Sequence, residues 1–159
     1  MLKEDRHMIT LYTRTMGEST KNAKKWLDDH DIPYTERRIK AHNAWTYNEL
    51  KEILKCTDNG FDSIMPSHKK CRIDEKEIEA KTTDELIQYF IDNPKKLRMP
   101  IMFDNQNLVV GFNKEEIRVF IPRQKRQLAM NEITGGLTNY KTLLTPGTDP
   151  TMKTYRLVL

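Results

Sequence analysis

Pro100-Ile101-Met102-Phe103-Asp104-Asn105-Gln106-Asn107-Leu108-Val109-Val110 reads as a strand, a turn and a return strand. Ile101 to Phe103 and Leu108 to Val110 are short apolar runs suited to a pleated, buried surface. Asn105-Gln106-Asn107 is turn chemistry, and so short a connection brings the chain back antiparallel. Downstream, Asn113 and Glu116 stand at capping spacing. They predict a last helix with Ile117, Phe120 and Ile121 on one face, closed by Pro122. The C-terminal half of a domain is therefore β-β-α.

The N-terminal half supplies its complement. Met8-Ile9-Thr10-Leu11-Tyr12-Thr13 is a run for a buried strand. Ala23, Trp26, Leu27 and His30 then recur at helical spacing, with Lys21, Lys24 and Lys25 on the other side. Ile32-Pro33 stops that helix, and Tyr34 to Ile39 reads as a second strand. A β-α-β unit this short favours a parallel pair with a right-handed crossover. Between the halves, Thr46 with Glu49 and Thr82 with Glu85 mark two capping boxes. The first opens a helix whose apolar face is Tyr47, Leu50, Ile53 and Leu54, ended by Asp58-Asn59-Gly60 with Gly60 left-handed. The second opens a helix carrying Leu86, Ile87, Phe90 and Ile91, stopped by Asn93-Pro94. Residues 61–81 are charged and mixed, with one short helix near Glu75 to Glu79. The order is β-α-β, a helical insertion over about 45–95, then β-β-α. This α/β order is that of a thioredoxin-like fold with an insertion, and such a fold places a cis-proline at Met99-Pro100. The domain is expected over residues 1–128. Residues 129–159, with breakers at Thr134-Gly135-Gly136 and Thr145-Pro146-Gly147, are expected to form an irregular tail.

At 159 residues the chain suits one domain with a real core. Its apolar runs are too short to span a bilayer. The N-terminal Met1-Leu2-Lys3-Glu4-Asp5-Arg6-His7-Met8 has no apolar stretch after its charges, which argues against a secretory leader and for a cytoplasmic protein. Cys56 and Cys71 have fourteen residues between them, with neither metal spacing nor C-x-x-C, so two free thiols are expected. His7, His30, His42 and His68 are scattered, and neither a metal nor a cofactor is expected. A net charge of +4 is mild. It permits approach to a polyanion without demanding one.

Two blocks carry a family resemblance. One is Thr10-Leu11-Tyr12-Thr13, Ala23-x-x-Trp26-Leu27 and Ile32-Pro33-Tyr34. The other is Leu97-Arg98-Met99-Pro100-Ile101 followed by Leu108-Val109-Val110-Gly111-Phe112-Asn113-x-Glu115-Glu116-Ile117-Arg118-x-Phe120-Ile121-Pro122-Arg123. Over roughly residues 8–126 the chain resembles the Spx branch of the arsenate reductase (ArsC) family. The resemblance implies a regulator that binds the C-terminal domain of the RNA polymerase α subunit and redirects transcription under stress. It implies that a glycine after the second helix, here Gly60, belongs to the polymerase contact. Lys51, Lys55 and Asn59 beside it, with Lys69, Lys70 and Arg72 as a basic rim, then suit an acidic partner or upstream DNA. The family also carries a C-x-x-C redox switch after the first strand, and its reductase relatives use one cysteine there as nucleophile. Gly17 and Thr20 stand at those positions here, and Met99 replaces the arginine before the Pro-Ile step, with Arg98 one position earlier.

Thr20 needs an adjacent general base to act as a nucleophile, and no His or Lys pairing supplies one. The helix start after Gly17 is expected to be capped by Ser19 or Glu18. The alternative is an anion held by backbone amides with Arg14, Lys21 or Arg98. Cys71, in His68-Lys69-Lys70-Cys71-Arg72, is a candidate low-pKa thiol with no resolving partner adjacent. No helix-turn-helix, zinc motif or stacking platform appears, so contact with promoter DNA is expected only indirectly, through phosphates beside polymerase. Three functions follow: a redox-insensitive Spx-type regulator, monomeric before it meets polymerase; a degenerate arsenate reductase-like oxidoreductase using Cys56 or Cys71; or an interaction module for another partner, bound through the tail.

Overall fold

The structure is a computed structural model that describes residues 8–69, 72–130 and 133. Lys70, Cys71 and nearly all of the expected tail lie outside them. The chain divides into two compact units, Met1–Phe120 and Ile121–Leu159. In the second, residues 123–130 are helical, so the boundary expected at 128 falls within a helix.

The first unit holds a four-stranded sheet in the order β2-β1-β3-β4. Strand β1 (Ile9–Thr13) lies parallel to β2 (Tyr34–Arg38), with Leu11 opposite Glu36. It lies antiparallel to β3 (Ile101–Phe103), with Leu11 opposite Met102. Strand β4 (Leu108–Val110) returns antiparallel to β3, Met102 facing Val109. The parallel pair and the hairpin are both as expected, and the Met99–Pro100 bond is cis. The hairpin turn is held by Asp104, whose carboxylate accepts from the amides of Gln106 and Asn107 at 3.0 and 2.7 Å.

Alternation along β1 gives the sheet two buried faces. Tyr12, Ile101 and Phe103 point into a cluster with Trp45, Leu50, Ile53, Ile64, Leu86, Ile87 and Phe90, which is the helical insertion. Ile9, Leu11, Met102 and Val109 point the other way and are buried too. Ala23 and Leu27 of α1 (Glu18–Asp29), Ile117 and Phe120 are likewise buried outside that cluster.

The insertion contains α2 (Tyr47–Lys55), α3 (Phe61–Ile64), α4 (Glu75–Glu79) and α5 (Thr83–Asp92). Both capping boxes form, on α2 and on α5. The short α3 was not expected. Its Ile64 is buried and its Phe61 stacks on Phe90 with ring centroids 5.4 Å apart.

Three expectations fail locally. The last helix is a single 3₁₀ turn, Glu116–Phe120. Asn113 does start it, accepting from the Glu115 amide at 2.8 Å, but Pro122 follows too closely for an α-helix to propagate. Tyr47 is not on the apolar face of α2 but is 37% exposed, while Leu50 and Ile53 are buried. Helix α1 has Gly17 as its N-cap with no side-chain cap; Ser19 lies inside the helix, two residues past the cap position, and Glu18 sits in the first turn, where it meets the helix dipole.

An ion pair joins the insertion to the sheet. Arg37 of β2 donates from Nε to Glu49 Oε1 at 2.9 Å and from Nη2 to Oε2 at 3.2 Å. The same guanidinium donates to the carbonyls of Asn43 and Ala44. Glu49 also closes the α2 capping box, accepting from the Thr46 amide at 2.8 Å. Burial pushes the Glu49 carboxyl up, but the Arg37 guanidinium and the Thr46 amide and hydroxyl outweigh that and hold it below the usual range.

Glu49→Ala should therefore cost about 2 kcal/mol in denaturant unfolding, since it removes a cap and a bidentate charged contact together. A carboxyl with a lowered folded-state pKa stabilises above its unfolded value and stops doing so as pH falls through the folded one. The stability gap between wild type and Glu49→Gln should accordingly narrow as the solution is acidified below about pH 4.

Candidate functional site

Two places carry the residues of interest: the turn after α2 and the loop after β1. After α2 the chain passes through Cys56, Thr57 and Asp58 to Asn59-Gly60-Phe61-Asp62. The Asp62 amide donates to the Asn59 carbonyl at 3.3 Å, closing a turn whose second residue is Gly60. Gly60 has φ +56° and ψ −131°, which L side chains rarely adopt. It does not end α2, as expected, but leads into α3. The end of α2 is Cys56, whose thiol points to the Asn105 carbonyl at 3.8 Å. A Cβ built on Gly60 would meet nothing within 4 Å. Its conformation is thus required by the turn, and its space is open.

The turn is braced around Gly60. The Asn59 amide donates to Ser63 Oγ at 3.3 Å. Asp62 pairs with Arg72, which brings that member of the expected rim beside α3. Phe61 is anchored on Phe90. Lys51 and Lys55 are both exposed on α2, four residues apart and so on one face. Lys55 pairs with Glu52 at 2.6 Å, while the Lys51 ammonium lies 5.7 Å above the Tyr47 ring. The Tyr47 hydroxyl donates to Asp84 of α5, and that bond raises the phenol pKa. Lys69 is exposed. Lys51, Lys55, Asn59 and Gly60 therefore lie along α2 and the turn into α3, and Arg72, further along the chain, reaches Asp62 of α3. Tyr47 and Asp84 were missed; a tyrosine at the first turn of an amphipathic helix reads as core until α5 is placed beside it.

The loop after β1 is tied up by its own polar groups. Thr20 is buried, and its hydroxyl donates to the Thr15 carbonyl at 3.2 Å. Arg14 donates to the Pro94 carbonyl at 2.7 Å, joining this loop to the chain after α5. Thr13 donates to Glu36 at 2.8 Å, and Glu36 pairs with Lys24 at 2.7 Å. The Lys24 contact, against some burial, holds the Glu36 carboxyl below its usual range. Arg98 lies elsewhere: its guanidinium packs over Gly111, where a Cβ would fall 2.8 Å from Nε and Nη2. Gly111 has φ +80°. Of the three cations considered for an anion, Arg14 is thus bonded to a backbone carbonyl, Arg98 lies against Gly111, and Lys21 sits in the first turns of α1. Gly17 has open space around it. Among the described residues no cluster of His, Cys, Asp or Glu fits a metal, and no helix is long and apolar enough to cross a membrane.

A parallel β-α-β unit sharing one sheet with a β-hairpin, and a helical insertion between them, define a thioredoxin-like protein. The chain belongs to the ArsC family, whose model matches residues 12–120. It is 41% identical over 129 residues to the global transcriptional regulator Spx of Staphylococcus aureus strain Mu50, an alignment covering 79% of this chain and 95% of that one. It is 40% identical, over the same shares, to the Spx of Staphylococcus epidermidis. Among solved structures it resembles an ArsC-family-related protein of Bacteroides fragilis with a TM-score of 0.56 and 24% identity, covering 70% of this chain and 96% of that one.

The two glycines should respond oppositely to substitution. Gly60→Ala should cost about 1 kcal/mol or more in denaturant unfolding, from backbone strain alone. Gly17→Ser should gain about 0.5 kcal/mol, because Gly17 has the extended backbone of an N-cap and lacks only the side-chain acceptor.

Proposed function

We propose that this protein is an Spx-type transcription regulator that acts by binding the C-terminal domain of the RNA polymerase α subunit through α2, Gly60 and the cations beside it. The observation that carries the reading is Gly60 itself. A left-handed glycine with open space at its α-carbon, braced by Asn59, Asp62 and Phe61, leaves room for another backbone to approach. The 41% identity to Spx over nearly all of that protein's length supports the same reading. Promoter DNA enters only through phosphates, beside polymerase, and the protein meets polymerase as a monomer.

The same reading makes the protein a regulator without an enzymatic step. The sequence holds no C-x-x-C. The resemblance puts Gly17 and Thr20 where the family's cysteines stand, and the Thr20 hydroxyl is spent on Thr15. Cys56 lies at the end of α2, away from the start of α1 where a thiolate would gain from helix amides. Response to disulfide stress through this loop is therefore absent, and activity is set by abundance or by competition for polymerase.

The test is binding of the full-length protein to purified α subunit, and to α lacking its C-terminal domain. Wild type should bind the first alone, and Gly60→Arg should weaken binding at least tenfold while still folding. Equal binding to both α forms, or none, would overturn the reading and turn the search to other partners and to residues 129–159. In a glutaredoxin- or thioredoxin-coupled assay, arsenate turnover should stay at the no-enzyme rate; thiol-dependent turnover lost in Cys56→Ser would revive the reductase reading.

A further inference from the structure

We infer that Tyr47, held by Asp84 and capped by Lys51, is an affinity- and specificity-determining part of the polymerase-binding surface, facing an acidic patch on the partner. The inference rests on the reading above and extends it to a residue that neither the resemblance nor the turn at Gly60 indicates. Tyr47, Lys51 and Lys55 follow one another at four-residue steps, so they form one stripe along α2, leading into the turn at Gly60. All three are exposed.

Tyr47 is not there to hold α2 against α5. That junction is made by Leu50 and Ile53 packed with Leu86, Ile87 and Phe90, all buried. An exposed hydrogen bond to Asp84 adds little to it. The bond does something else: it stops the ring from moving. A tyrosine fixed at both ends presents a large amphipathic face whose ordering cost is already met before a partner arrives. Ring, ammonium and carboxylate also form a graded surface. Asp84 accepts from the phenol and keeps its charge, and among the described residues Lys51 makes no ion pair, unlike Lys55. Charges at this surface balance overall, Lys55 against Glu52 and Lys51 against Asp84 across the ring, but the Lys51 ammonium is left open to a carboxylate on the partner. Aromatic anchors with adjacent cations are the side chains that dominate binding energy at interfaces.

The experiment measures affinity of the full-length protein for purified α subunit at two salt concentrations. Tyr47→Ala should weaken binding about tenfold. Tyr47→Phe, which keeps the ring and loses the Asp84 bond, should recover most of that loss, and Asp84→Ala should match Tyr47→Phe. Lys51→Gln should weaken binding about threefold and flatten its salt dependence. Thermal unfolding should change little in any of these. If wild type binds and Gly60→Arg does not, but Tyr47→Ala and Lys51→Gln bind within twofold of wild type, this inference fails while the regulator reading stands. If Tyr47→Phe is as weak as Tyr47→Ala, the ring is not the contact and the inference also fails. If wild type does not bind α at all, the regulator reading is the one that has failed.

Discussion

The pairing of Arg37 with Glu49 fixes where the helical insertion meets the sheet. Strand β2 is an edge strand, and edges of sheets are ordinarily left charged to discourage pairing with other chains. Here one of those charges is turned to use. Arg37 spends its guanidinium on both oxygens of Glu49 and on the carbonyls of Asn43 and Ala44, so the crossing from β2 into α2 is held at four points. Exposed ion pairs are worth little. This one is half-buried, bidentate and shared with a helix cap, and its geometry leaves α2 one direction in which to start. Trp45 lies just before the cap, buried against Tyr12 of β1 with ring centroids 4.6 Å apart. Burial, with the Glu49 charge adding to it and Arg37 opposing, pushes the Tyr12 hydroxyl up to about 12, so that side chain stays neutral in the core. The start of α2, and with it the turn at Gly60, takes its position from this corner.

What could be read in the sequence was what local chemistry decides. The two capping boxes are reciprocal contacts between residues three apart, and both formed. The hairpin needed only two apolar runs and an Asx-type turn. The parallel β1–β2 pair followed from the handedness of a short crossover. The failures have one cause: each depends on a residue far away in the chain or on an end effect. Tyr47 looked apolar because its partner, Asp84, is thirty-seven positions away. Gly60 looked like a helix end because Asp58-Asn59-Gly60 is breaker chemistry, but the short helix that follows rests on Phe90. Serine and glutamate near the start of α1 suggested a side-chain cap, yet the register put Gly17 in that place. The salt bridge between Arg37 and Glu49 has no sequence signal beyond the capping glutamate. The proposed surface takes its lysines and its glycine from the sequence and adds a tyrosine whose exposed place beside Asp84 no local pattern announced.

The loop after β1 is held in place by contacts that its own side chains make. In the resemblance, two cysteines occupy this turn. Here Gly17 is exposed with space around it, while Thr20 is folded inward onto Thr15. Arg14 reaches across to Pro94, and Thr13 and Lys24 converge on Glu36. These contacts serve cohesion. They bind the end of β1 to β2, to α1 and to the chain after α5, so the turn is stitched shut by groups that a substrate would otherwise have to recruit.

The contact between Arg98 and Gly111 carries a consequence for how this sequence can change over time. The guanidinium fills the volume that any side chain at position 111 would need, and the backbone there is left-handed as well. A new side chain at 111 meets only the tip of the arginine, the flexible end of that chain, which can swing aside. Shortening Arg98 clears the space but not the strained dihedral, so the substitution stays unfavourable in either order. The constraint on position 111 is thus set by its own backbone and holds whichever residue stands at 98. Among related chains, glycine at 111 should therefore persist whatever stands at 98.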